Sequence, residues 1–106
     1  MNVVARSKKF EAGAVLIRGV YPIDGIKMME KNRKTEKFSN LTNGPGKLTQ
    51  AFNISVKDYG IDMTKKSELY VTTGICPKKI NSKPRIGISK AVDKKWNFSI
   101  NPKNYF

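Results

Sequence analysis

The stretch AGAVLIRGVYPID, residues 12–24, decides how the rest of the chain is read. Residues 14–17 form an apolar run with β-branched members, closed by Arg18, Gly19 and Pro22, which predicts a β-strand. On an extended strand Ala14, Leu16 and Arg18 share one face, while Val15 and Ile17 share the other. Both faces stay apolar until the last position, which predicts a strand interior to a sheet. A guanidinium at the end of such a strand is costly to desolvate unless it meets an anion or stays at a wet rim. Arg18 therefore reads either as a salt-bridged structural residue or as a cation aimed at a substrate or a catalytic water.

The length of 106 residues allows one domain with a modest core. Twenty-one Lys and Arg stand against eight Asp and Glu, a net charge of +13. Such an excess makes a polyanion the default partner, with nucleic acid ahead of an anionic membrane. No apolar run approaches the roughly 18 residues of a membrane span. The first residues lack the pattern of a secretory signal, so a cytoplasmic protein is expected, nucleoid-associated if bacterial. The single cysteine, Cys76, cannot form an intrachain disulfide and reads as a small buried or half-buried residue. With no histidine, a Cys/His zinc site and Ser-His or Cys-His nucleophiles are excluded. Hydrolysis would have to rely on carboxylates, Lys, Arg or backbone groups.

Outward from the central stretch, residues 1–5 read as a strand that begins at once, as if cut from something longer. Residues 6–11 read as a charged hairpin loop. After Pro22, Asp24 is placed to cap a helix over 25–33, with Ile26, Met28 and Met29 on its apolar side and Lys27, Glu30 and Lys31 toward water. Residues 32–40 read as an exposed loop. In LTNGPGKL, residues 41–48, Pro45 suits the first turn of a helix that runs to about residue 53 and buries Leu48, Ala51 and Phe52. Gly44 and Gly46 bare the backbone N–H groups there, and Lys47 adds a charge. That is either a plain helix start with flexible glycines or a site for a phosphate. The spacing is not that of a P-loop. Residues 68–73 and 85–89 read as strands, with a basic loop over 75–84 between them and Gly87 marking a close approach. Residues 95–100 alternate so that Trp96, Phe98 and Ile100 point inward. The sum is an α+β domain over residues 1–106, mainly antiparallel, with five or six strands and two short helices.

Three of these segments, LIRGVYPIDG at 16–25, LTNGPGKLTQA at 41–51 and PRIGI at 84–88, resemble the alkyladenine type of 3-methyladenine DNA glycosylase in order and spacing. The resemblance spans nearly all of the chain but only the C-terminal half of that family's catalytic domain. It implies a curved antiparallel sheet with helices, and DNA repair by excision of an alkylated or deaminated purine flipped out of the duplex. Water hydrolyses the N-glycosidic bond, and neither metal nor organic cofactor is needed. It also implies roles. Asn2 would touch the flipped base and Leu16 would line its pocket. Arg18 and the main-chain carbonyl of Ile86 would hold the attacking water. Gly46 and Lys47 would bind a DNA phosphate.

Departures accompany the likeness. The family's general-base glutamate, its base-stacking aromatics and its wedging tyrosine precede the segment that begins here. Lys90 stands where the family usually has histidine or an aromatic residue. The resemblance therefore implies a truncated glycosylase, inactive alone, whose partners are damaged double-stranded DNA and a missing N-terminal half chain. The alternative is a non-enzymatic basic nucleic-acid-binding module.

Overall fold

Two α-helices and four short strands make up the regular structure of this computed structural model, which describes residues 1–5, 13–87 and 93–106. The order is β1 (Asn2–Ala5), β2 (Gly13–Leu16), α1 (Ile26–Arg33), α2 (Pro45–Ala51), β3 (Asn81–Lys83) and β4 (Asn97–Ser99), with three single-turn 3₁₀ helices between and after them. The class is α+β, as expected, but the sheet is not continuous. β1 pairs antiparallel with β2 and β3 with β4, two separate ribbons. The chain divides into two compact units, Met1–Val71 and Thr72–Phe106.

In the first unit the core lies between the helices. Leu41 and Leu48 are fully buried and Ala51 and Met29 nearly so; Met29, Leu41 and Ala51 form one cluster, with Ile26 packed against it. Full burial of a leucine contributes about 1.5–3 kcal/mol, so these few side chains carry most of the apolar stabilisation of the pair. Met28 and Phe52 stay exposed, against expectation, outside the cluster of Met29, Leu41 and Ala51. Polar bonds complete the joint. The Arg33 guanidinium donates from Nε to the Leu41 carbonyl (3.1 Å), from Nη2 to the Asn40 carbonyl (3.1 Å) and from Nη1 to Gln50 Oε1 (2.6 Å). Asn32 Nδ2 donates to the Ala51 carbonyl at 2.9 Å, meeting an orphan acceptor at the end of α2. Both residues fall where the helix read at 25–33 overlaps the exposed loop read at 32–40, and the structure puts them in the helix.

Several local expectations are corrected. Asp24 does not cap α1; Gly25 holds the N-cap position at φ 74°, and no side chain bonds there. That left-handed conformation favours glycine, which has no side chain to cap the helix. Residues 68–73 are not a strand. Val71 N–H reaches the Met63 carbonyl at 2.8 Å instead, and strand propensity has no effect without a paired neighbour. Residues 85–87 form no strand, with a bend at 86 and 87, and β3 lies inside the stretch read as a basic loop. A Cβ at Gly87 would meet nothing within 4 Å, so no other backbone among the described residues approaches it closely, and its φ of 69° gives the glycine a different reason. The strand read at 95–100 shortens to β4, with Trp96 56% and Phe98 63% exposed rather than inward. Cys76 is exposed. The loop at 6–11, including Glu11, and positions 88–90, including Lys90, lie outside the described residues.

The second unit is a small β3–β4 ribbon in the register Asn81↔Ser99, Ser82↔Phe98 and Lys83↔Asn97. Ser82 Oγ donates to the Lys95 carbonyl, and the Lys78 N–H donates to the Tyr105 hydroxyl at 3.0 Å. The Arg85 guanidinium lies 5.1 Å from the centre of a Trp96 ring and the Lys94 ammonium 6.0 Å, both within cation–π range. No helix among the described residues is long and apolar enough to cross a membrane.

Arg33→Ala is expected to lower the unfolding free energy of the helical unit by about 2 kcal/mol, because bonds from a charged donor to buried carbonyls are among the stronger ones. Arg33→Lys should not rescue it, since one ammonium cannot reproduce a planar fork. Urea denaturation followed by far-ultraviolet circular dichroism checks both.

Candidate nucleic-acid interface

The expected base-contacting residues meet across the first ribbon. The register sets Asn2 directly opposite Leu16, and Ile17 N–H donates to the Met1 carbonyl at 3.0 Å to extend the ladder. Residues directly opposite in an antiparallel pair project from the same face. Asn2 and Leu16 are both exposed there.

Arg18 follows two residues beyond Leu16 and is half-buried. The next residues are fastened to the approach to α2. Val20 N–H donates to the Thr42 carbonyl (3.3 Å), and Thr42 Oγ1 donates back to the Val20 carbonyl (2.6 Å). Thr42 is buried, at 3% exposure, so its side of this reciprocal pair is shielded from water. Gly19 lies against the same carbonyl, where a Cβ would come within 3.0 Å of the Thr42 oxygen. The sequence marks Gly19 only as the residue ending the strand; its contact partner is 23 positions away and leaves no local signal.

Thr42 leads within three residues to Pro45, the first residue of α2. Gly44 occupies the N-cap position with extended backbone, and no side chain caps it. Proline has no N–H, so Gly46 and Lys47 carry the uncapped donors of the first turn. Gly46 is exposed and Lys47 half-buried. Lys47 Nζ donates to Asn40 Oδ1 at 2.9 Å, which holds the ammonium beside the turn and leaves it further protons for an anion. Asn40 is itself fixed through its carbonyl by Arg33. Asn40 and Thr42 are thus positioning residues that the sequence alone does not single out.

Ile86 belongs to the second unit. It sits in a bend and is 61% exposed. Asn2, Leu16, Arg18, Gly46 and Lys47 all belong to the first unit.

Electrostatics are dominated by unbalanced cations. The ion pairs among the described residues are Lys27–Glu30 at 3.4 Å and Lys65–Asp62 at 3.9 Å. Asp58 is engaged in a capping box with Ser55. Asp62 accepts from the Thr64 hydroxyl and N–H, which hold its carboxyl below the usual range. Among the described residues no carboxylate forms an ion pair with Arg18. A shallow depression along α1, lined by Lys27, Glu30, Lys31, Lys34, Thr35 and Glu36, contains none of the expected site residues.

Gly19→Ala is expected to destabilise the helical unit by about 1–3 kcal/mol, because the new methyl group meets main chain rather than a movable side chain. Thr42→Val should cost about 1–2 kcal/mol through the lost hydroxyl bond. Thermal unfolding of the two variants checks the joint.

Comparison with known proteins gives a consistent result. The profile of the family described as Methylpurine-DNA glycosylase (MPG) matches residues 1–104. A Prosthecochloris aestuarii protein provisionally named 3-methyladenine DNA glycosylase is 48% identical over 107 residues, which cover 99% of this chain and 50% of that protein. Proteins of the same provisional name from Bacillus licheniformis and Bacillus subtilis are 43% and 39% identical over 108 residues, covering 99% of this chain and 54% of each relative. The chain spans about half the length of the curated relatives it matches. No solved structure matches it significantly. With nearly its whole length matched by the family profile, the chain belongs to the methylpurine-DNA glycosylase family.

Proposed function

We propose that this chain supplies the DNA-contacting and water-holding part of a base-excision site for alkylated or deaminated purines in double-stranded DNA. The observation that carries the reading is the Gly19–Val20 to Thr42 joint. It ties the Arg18 segment to the start of α2, two of the three segments on which the resemblance rests. In this reading Asn2 and Leu16 face the flipped base. Lys47 and the Gly46 N–H bind a backbone phosphate. Arg18 and the Ile86 carbonyl hold the water that attacks the sugar C1′ as the C1′–N bond breaks.

A guanidinium stays protonated at any pH of interest, so Arg18 can orient that water but cannot take its proton. Among the described residues, the carboxylates of the helical unit are engaged elsewhere or exposed: Glu30 with Lys27, Asp58 with Ser55 and Asp62 with Thr64. In this reading, as the resemblance implies, the proton acceptor, the base-stacking aromatics and the wedge belong to the part of the family fold that this chain does not match. Alone, the chain binds DNA through charge and does not turn over. General-base assistance is worth roughly 10²–10⁴ in rate, and flipping must precede it. The same reading puts the protein in the cytoplasm, with the nucleoid if bacterial. A purely non-enzymatic basic module accounts for the charge of +13 but not for the three ordered segments.

Single-turnover excision of hypoxanthine from duplex DNA tests this, with the chain alone and joined in one polypeptide to the remaining part of a relative. No product is expected from the chain alone; robust turnover there would overturn the assignment of the missing base. In the joined protein, Arg18→Ala should lower excision by about 10²-fold or more with little change in binding to undamaged DNA. Lys47→Ala should weaken binding and reduce the salt slope by about one. Equal effects of the two substitutions on both readouts would contradict the division of roles.

A further inference from the structure

The second unit is the more basic of the two. Thr72–Phe106 holds eight Lys and Arg against one acidic side chain, Asp93, so it carries seven of the thirteen net charges in a third of the length. None of these cations is used in the excision site.

The chain's one tryptophan lies among them. Trp96 stands just before β4 and is 56% exposed. The Arg85 guanidinium is 5.1 Å from the centre of one of its rings, and the Lys94 ammonium is at 6.0 Å. Ser82 Oγ donates to the Lys95 carbonyl, which fixes the main chain directly ahead of the indole. Two residues on, Phe98 is exposed as well. The register sets it opposite Ser82, so the side chain facing it from β3 is small and polar. Single exposed apolar residues need no occupant. Two aromatic residues two positions apart, with two cations on one of them, are a different case.

Charge and shape decide what such a set holds. A second copy of the chain would bring the same excess of cations and be repelled. A flat ring beside positive charge suits an unpaired nucleic-acid base with its phosphate: the base stacks, and the cations take the backbone. A base inside a duplex has its faces covered by its neighbours. The two cations differ in their use. Arg85 is planar and adds a stacking surface of its own. Lys94 lies at the limit of cation–π range, and its flexible stem lets the ammonium pass from ring to phosphate. We propose that Trp96, with Phe98, Arg85 and Lys94, is a binding site for single-stranded DNA that stacks unpaired bases. It shares no residue with the pair that faces the flipped purine, Asn2 and Leu16.

The whole chain carries its own reporter, because Trp96 is its one tryptophan. Oligothymidylate is titrated in while the indole emission is followed. That strand contains no purine, so the outcome is independent of the excision reading. Saturable quenching is expected. Heparin, a polyanion without bases, and a closed duplex dumbbell should leave the emission nearly unchanged. Anisotropy of a labelled strand reads the variants. Trp96→Ala should weaken oligothymidylate binding by about tenfold or more, with heparin affinity within about twofold of the parent. Trp96→Phe should restore most of the loss and Trp96→Leu should not, which separates a π-face from apolar bulk. Lys94→Ala should lower the single-strand salt slope by about 0.7. Equal quenching by heparin or by the dumbbell, equal loss of both ligands in Trp96→Ala, or rescue by leucine would overturn the proposal. So would an emission shift with protein concentration in the absence of DNA, the mark of a second copy seated on the ring.

Discussion

The helical unit depends on the Arg33 fork. Its guanidinium emerges from the last turn of α1 and bonds the consecutive carbonyls of Asn40 and Leu41, together with the Gln50 side chain on α2. These bonds do what a core of so few residues cannot do alone. They fix where residues 40 and 41 run, and so where Leu41 enters the apolar cluster. A planar cation with five donors can hold two successive carbonyls and a side-chain amide at once. From this one group the positions of Asn40, Leu41 and Thr42 follow, and from those the placement of Lys47 and of the segment after Arg18.

That ordering explains why function and stability are hard to separate here. The groups expected to touch DNA are not packed into the core themselves. Arg18 and Lys47 are half-buried, and each is held one step away from a buried residue: Arg18 by the Gly19–Val20 contact with Thr42, Lys47 by Asn40. Such an arrangement keeps the cationic heads available to phosphate while their backbones stay fixed. The charge of +13, with few ion pairs among the described residues to offset it, supplies attraction without sequence preference. Discrimination would come from the Asn2–Leu16 end of the ribbon.

What the sequence discloses follows the range of the forces involved. Both helices are legible because their signals are local: apolar spacing around Ile26 and Met29, and Pro45 ahead of Leu48 and Ala51. The antiparallel strands β1 and β2 are legible for the same reason, as short apolar runs. The run at 68–73 misleads because strand propensity needs a partner, and among the described residues it has none; likewise Trp96 and Phe98 alternate as core residues do yet lie exposed. Propensity and alternation report what a segment could bury, not what covers it. Arg33, Asn40 and Thr42 escape sequence reading because their partners lie at separations of 7 to 22 residues with no periodic trace. The family motifs brought out Arg18 and Lys47, and only coordinates supply the posts that hold them.

The Gly19–Thr42 contact has a consequence for how this fold can drift. The clash that any side chain at position 19 would create is with a main-chain oxygen, so no exchange of the residue at position 42 can make room for it. Relief requires the main chain at residue 42 to give by a few tenths of an ångström, and the Arg33 bonds at residues 40 and 41 resist that shift. Position 19 thus admits a side chain only at the expense of backbone, whereas position 42 needs only a small hydroxyl. Two neighbouring sites in space have quite different mutational latitude, set by which of them contributes a side chain and which contributes only backbone.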